Sequence, residues 1–135
     1  MKIVKCKKSG TVFETRCAKI WLEGDISVTK IRHDYRAGAE EVLEYLTVAG
    51  NITNGKPMPN IFDIRGLEWM HETGLNELLA EKSASITKAS AILIDRPNVW
   101  QSLTLRVILM MSHSPFPLKA FTDREKAIEW LKQFK

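Results

Sequence analysis

Residues 89–94 read ASAILI, a nearly continuous apolar run between Lys88 and Asp95. A strand with one wet face alternates apolar and polar side chains; a strand covered on both faces need not. The run therefore predicts a central strand with helices packed over it. Two further short apolar segments, 61–64 and 118–121, read as strands on either side of it in sequence. Strands that alternate with helical segments imply a sheet of substantial parallel character.

The helical segments follow from spacing. Val42, Leu43, Leu46 and Ala49 recur at the helical period, with Asp34 as an N-cap and Gly50 and Asn51 as stop residues. The loop NGKPMP at 54–59 cannot continue that helix. Thr73 opens a second helix with Leu75, Leu78, Leu79 and Ile86 on one face. A third begins near Pro97 and is broken at 114–117. A fourth starts from Thr122, whose hydroxyl and Glu125 have the spacing of a capping box; it carries Ala127, Ile128, Leu131 and Phe134 on one stripe.

The first third of the chain reads as hairpins. Segments 2–7 and 11–15 flank the turn Ser9–Gly10. Segments 18–22 and 26–31 flank Glu23-Gly24-Asp25, which supplies hairpin turn chemistry. Ile26 and Val28, with Lys30, alternate against Ser27 and Thr29, the pattern of a half-buried strand. Lys5 and Lys7 share a strand face with Ile3, which reads as a solvated edge strand. The expected fold is thus α/β: a mixed, mostly parallel sheet with initial antiparallel hairpin strands and four helices, in a single domain over residues 1–135.

Composition narrows the function classes. With 135 residues, 44% hydrophobic and 27% charged, the chain can bury a core without disulfides or metal. No apolar run approaches the roughly 18 residues a membrane span needs, and MKIVKCKKSG lacks the apolar stretch of a signal peptide, so a cytoplasmic protein is expected. Cys6 and Cys17 read as free thiols, with a hairpin disulfide as the alternative; no spacing suggests a metal site. The net charge of +4 is spread along the chain except at Lys2, Lys5, Lys7 and Lys8, which argues against a nucleic-acid interface.

The segment NIFDIRGLEWMHETGLNELL, residues 60–79, runs strand, polar turn, amphipathic helix. It resembles the centre of STAS domains, the family of anti-sigma factor antagonists of the SpoIIAA type. There the turn carries Asp-Ser-Ser/Thr-Gly-Leu, with a phosphorylated hydroxyl. Here the matching letters are His71, Glu72, Thr73, Gly74 and Leu75, of which the last three agree. ASAILIDRP and the later PFPLKAFTDREKAIEWLKQF, with Ala127, Trp130 and Leu131 in its last helix, are similar to the SpoIIAA-like branch. The resemblance spans about residues 18–134. It implies a STAS/SpoIIAA-like fold and a small non-enzymatic regulatory or protein-interaction module whose binding is controlled by a kinase. Thr73 would be the phosphoacceptor at a helix N-terminus, where first-turn N–H groups favour anions. Its bland role is the N-cap, and Glu72 beside it repels added phosphate.

Trp69, Met70, His71, Glu72, Thr73 and Gly74 form the expected interaction turn. In the third helix, Val99, Leu103, Val107, Met110 and Met111 share one face, while Leu105 and Leu109, with Ile108 at the border, fall opposite. That second stripe is expected to be covered by another copy of the chain in a two-fold homodimer, or by an apolar ligand. The alternative function is therefore binding of a lipid or other apolar small molecule in a CRAL-TRIO-like pocket, with the two methionines as adaptable lining. Trp21, Trp100 and Trp130 read as core or rim packing. Asp63 and His71 are the nearest thing to an acid–base pair. No nucleophile elbow and no Gly-rich phosphate loop is present, so the chain reads as a non-enzyme with no cofactor.

Overall fold

The computed structural model describes residues 2–6, 10–32, 38–65, 81–95 and 114–134. Within them lie seven strands: β1 Lys2–Cys6, β2 Gly10–Glu14, β3 Ala18–Glu23, β4 Ile26–Ile31, β5 Met58–Asp63, β6 Thr87–Leu93 and β7 Leu118–Phe121. The helices are α1 Ala39–Ile52, the short α2 Glu81–Ala84 and α3 Arg124–Leu131, followed by a 3-10 turn at Lys132–Phe134.

All seven strands join one sheet in sequence order. The first three pairings, β1 to β2 through β3 to β4, are antiparallel. The next three, β4 to β5 through β6 to β7, are parallel. The α/β class and the initial hairpins are as expected, but the pairings divide evenly instead of being mostly parallel. The difference lies in β1 and β2: β1 pairs with β2 along its length, and β2 joins β3 at Phe13–Ile20 and Glu14–Lys19. Glu23 pairs with Ile26 across a two-residue turn, where Gly24 takes φ +62°, a conformation that favours glycine.

β6 lies inside the sheet, hydrogen-bonded to β5 and β7, and Ala89 to Leu93 are all buried. Alternation divides them between two cores. Ile92 joins Ile20, Ile31, Leu46, Phe62 and Ile64 under α1. Ala89, Ala91 and Leu93 join Val28, Ile61, Ala127 and Leu131 under α3. Ala89, Ala91 and Ala127 are each without exposure, so small side chains on strand and helix let α3 approach the sheet closely.

Several helix ends differ from expectation. α1 begins after Gly38, whose N–H donates to the Glu41 carboxylate at 3.2 Å; Asp34 lies outside the described residues. Gly50 and Asn51 do not stop it. The helix runs to Ile52, and Gly55 N–H donates to Gly50 O at 2.8 Å while Asn54 N–H donates to Asn51 O at 3.2 Å. That pair of bonds is a Schellman closure, made possible by left-handed Asn54 and Gly55. Leu43 faces outward, 37% exposed, because Tyr45 and Val48 take inward places beside Val42, Leu46 and Ala49. At α3 the cap is Asp123, not Thr122: its carboxylate accepts from Glu125 N–H at 2.9 Å, and Ala127 N–H bonds to Asp123 O. Of the four expected helices, the third lies outside the described residues. The expected second helix falls on described residues only from Glu81; there α2 stops at Ala84, short of Ile86, which packs against the core under α1.

β4 is not half-buried. Every residue but Lys30 is buried. Ile26 and Val28 meet the α3 core, while Ser27 and Thr29 lie on the face that α1 covers.

Candidate functional site

In open α/β sheets, ligands gather at the carboxyl ends of parallel strands. Here β4 and β5 end side by side, and Lys30 is the register partner of Asp63. Asp63 is the last residue of β5; its side chain is only 9% exposed. Two residues on, Arg65 folds back onto it. The Arg65 backbone N–H and Nε each donate to Oδ1 at 3.0 Å, and Nη2 donates to Oδ2 at 2.9 Å. Lys30 Nζ donates to Oδ2 at 3.5 Å.

The electrostatics follow from that arrangement. Burial pushes the Asp63 carboxyl up, but the side-chain and backbone bonds from Arg65, with the Lys30 charge, outweigh it and hold the group below its ordinary range. The Arg65 guanidinium is pushed up by its bonds to Asp63, against burial, with the charges of Asp63 and Asp95 adding to the effect. Asp63 is thus an ionised anchor that draws two half-exposed cations to one point. Its partners in the described structure are Lys30 and Arg65; His71, the other half of the expected acid–base pair, lies outside the described residues.

A second polar group lies under α1. Asn60 of β5 stands between Ser27 of β4 and Ser90 of β6 in the register. Its Nδ2 donates to Ser27 O at 3.2 Å and to Ser27 Oγ at 2.9 Å, and its Oδ1 accepts from Ser90 Oγ at 3.4 Å. Thr29 Oγ1 donates to Tyr45 OH at 3.1 Å. Burial, only partly offset by the Thr29 bond, pushes the Tyr45 phenol up to about 12, so it stays neutral. Every buried side-chain nitrogen and oxygen among the described residues has a hydrogen-bond partner. This row fixes the register of three strands; no member of it is left over for a ligand.

Cys17 is a free, buried thiol whose Sγ donates to Glu41 O at 3.5 Å. Burial pushes it up to about 11, which makes it a poor nucleophile at neutral pH. On the opposite face Trp21 Nε1 donates to Glu23 Oε2 at 2.8 Å, and Arg124 ties the same carboxylate to the start of α3. Trp130 sits between Phe121 and Phe134, with ring centroids 5.6 and 4.9 Å away. Trp21 and Trp130 are packing residues, as their spacing suggested.

The expected interaction turn, Trp69, Met70, His71, Glu72, Thr73 and Gly74, lies outside the described residues. So does the expected dimer or ligand face, Leu105, Ile108 and Leu109. What sequence reasoning missed is the pair that grips Asp63. Its signal was an Asp-x-Arg at the end of an apolar strand, together with Lys30 as the break in the β4 alternation.

Residues 20–135 match the family model described as Domain of unknown function (DUF7793). The chain belongs to this family. Lys30, Asp63, Arg65 and the Ser27–Asn60–Ser90 row all fall inside the DUF7793 region, which begins within β3. No curated protein and no solved structure matches the chain. Among the described residues no helix is long and apolar enough to cross a membrane, and no group of three or more His, Cys, Asp or Glu side chains could hold a metal ion.

Proposed function

We propose that this DUF7793 protein is a small cytoplasmic protein-interaction module of STAS/SpoIIAA-like kind, without catalytic activity of its own. It acts by presenting residues 69–74 to another protein, with Thr73 as the phosphoacceptor and a homodimer formed through Leu105, Ile108 and Leu109. The observation that carries the reading is the Asp63–Arg65 grip. It braces the chain at the carboxyl end of β5, immediately before the segment that holds the turn. A module that offers a loop needs that loop's root held on a rigid element.

Native mass spectrometry of protein purified from its source tests this. The expected result is a dimer that carries a covalent phosphate, or a bound protein, and loses the phosphate in Thr73→Ala. A monomer that retains an apolar small molecule would replace this reading with a ligand carrier.

A further inference from the structure

The Asp63 cluster leaves hydrogen-bond donors of its two cations unspent. Lys30 and Arg65 bring two cations to one carboxylate at the carboxyl ends of β4 and β5, and the Asp95 charge acts on Arg65 against the remainder. A guanidinium has five N–H donors and an ammonium three. Arg65 spends Nε and one Nη2 bond on Asp63, and Lys30 spends one long bond of 3.5 Å. Both side chains keep donors to spare, and they are 41% and 46% exposed. Asp63 is buried and its two oxygens are already engaged, so it orients the cations without presenting a free carboxylate. Asp95, two residues past the end of the neighbouring β6, adds negative charge close enough to act on Arg65.

We propose that Lys30 and Arg65 together receive a phosphoryl group, with Asp63 as the positioning residue. The inference rests on the interaction-module reading and names the chemistry its partner would bring. A phosphoryl group carries three acceptor oxygens, enough to take the Arg65 fork and the Lys30 ammonium at once. Because Asp63 already holds the Arg65 fork, little further ordering of that side chain opposes binding. Asp95 is the competitor, and its removal strengthens the site.

The test is a nuclear magnetic resonance titration of the full chain at constant ionic strength. The probes are inorganic phosphate, O-phosphothreonine and acetate. Saturable shifts centred on the Arg65 side chain, stronger with the phosphates than with acetate, are expected. Tighter binding of O-phosphothreonine assigns the site to an esterified phosphoryl group; equal binding assigns it to free phosphate. Lys30→Met, at a half-exposed position, leaves the protein folded and weakens binding roughly three- to tenfold. Arg65→Lys weakens it as well, because the planar fork is lost, and Asp95→Asn tightens it. Shifts that never saturate, match those in acetate, or are unchanged in Lys30→Met overturn the proposal. A partner that stays bound to Lys30→Met and Arg65→Lys overturns this site and keeps the interaction-module reading. Saturable phosphate binding by a protein that never carries a partner does the reverse.

Discussion

Arg65 grips Asp63 with two parallel bonds, Nε to Oδ1 at 3.0 Å and Nη2 to Oδ2 at 2.9 Å, while its own backbone N–H closes a turn onto the same carboxylate. One side chain thus anchors the turn at Arg65 that follows β5. Asp63→Asn keeps the shape but removes the charge and an acceptor. Its expected cost is about 1–2 kcal/mol, below a fully buried charged bond because both cations can turn to water. Urea unfolding of the two proteins, compared at equal slope, measures it.

Acid should act through the same carboxylate. The folded-state pKa of Asp63 is depressed, as are those of Glu23 and Glu44. At Asp63 and Glu23 burial pushes the carboxyl up and is outweighed by hydrogen bonds and charge, from Arg65 and Lys30 and from Arg124 and Trp21; at Glu44 the Arg16 backbone N–H lowers it most, and the Arg16 side chain adds to this against burial. A depressed carboxyl contributes stability that is complete above its unfolded pKa and fades as pH falls through the folded one. The ordinary values are 3.8 for Asp63 and 4.5 for the two glutamates. Stability should therefore hold at neutral pH and decline below these values. In Asp63→Asn the decline should be shallower. Thermal unfolding from pH 7 down to pH 3 reads the difference; parallel curves would show that Asp63 takes no part.

Asn60 is predicted to couple Ser27 and Ser90. Asn60→Ala leaves two buried hydroxyls short of a partner and opens a small cavity, together about 2–4 kcal/mol. A double-mutant cycle with Ser90→Ala should return a coupling of about 0.5–3 kcal/mol. Additive losses would mean that the 3.4 Å contact contributes nothing in solution.

Ala91 meets α3 with no exposed surface. Ala91→Leu must push the helix away or force an unfavourable rotamer, at about 1–3 kcal/mol. The equal-sized change Leu43→Ala, at the exposed position on α1, should cost far less. Melting temperatures of the two variants give the comparison.

Cys17 should be unreactive in the folded protein, since burial both shields it and pushes its thiol up to about 11. In a Cys6→Ser background, iodoacetamide at pH 8 is expected to label the chain only after denaturation. Rapid labelling of the native protein would show that α1 opens readily above Cys17.

Pattern alone was enough for elements whose physics is local or repeats along the chain. The ASAILI run at 89–94 could satisfy its apolar side chains only as a strand covered on both faces, and β6 is that strand. Gly24 and Asp25 supply turn chemistry through backbone freedom, so the β3–β4 hairpin was legible; Glu23, expected in the turn, instead ends β3 and pairs with Ile26. The amphipathic stripes of α1 and α3 were legible too, to within a few residues. Their ends were not, because a cap depends on which carbonyl and which donor meet in space. Asp123 takes the cap expected at Thr122, and the stop expected at Gly50 and Asn51 comes at Asn54 and Gly55 instead. The burial of β4 on both sides was likewise hidden, since Ser27 and Thr29 look like a wet face until Asn60 and Tyr45 supply their hydrogen bonds. Lys30 and Asp63 stand 33 residues apart in the chain. Only parallel pairing of β4 with β5 makes them neighbours, and the buried carboxylate between two cations exists through that pairing.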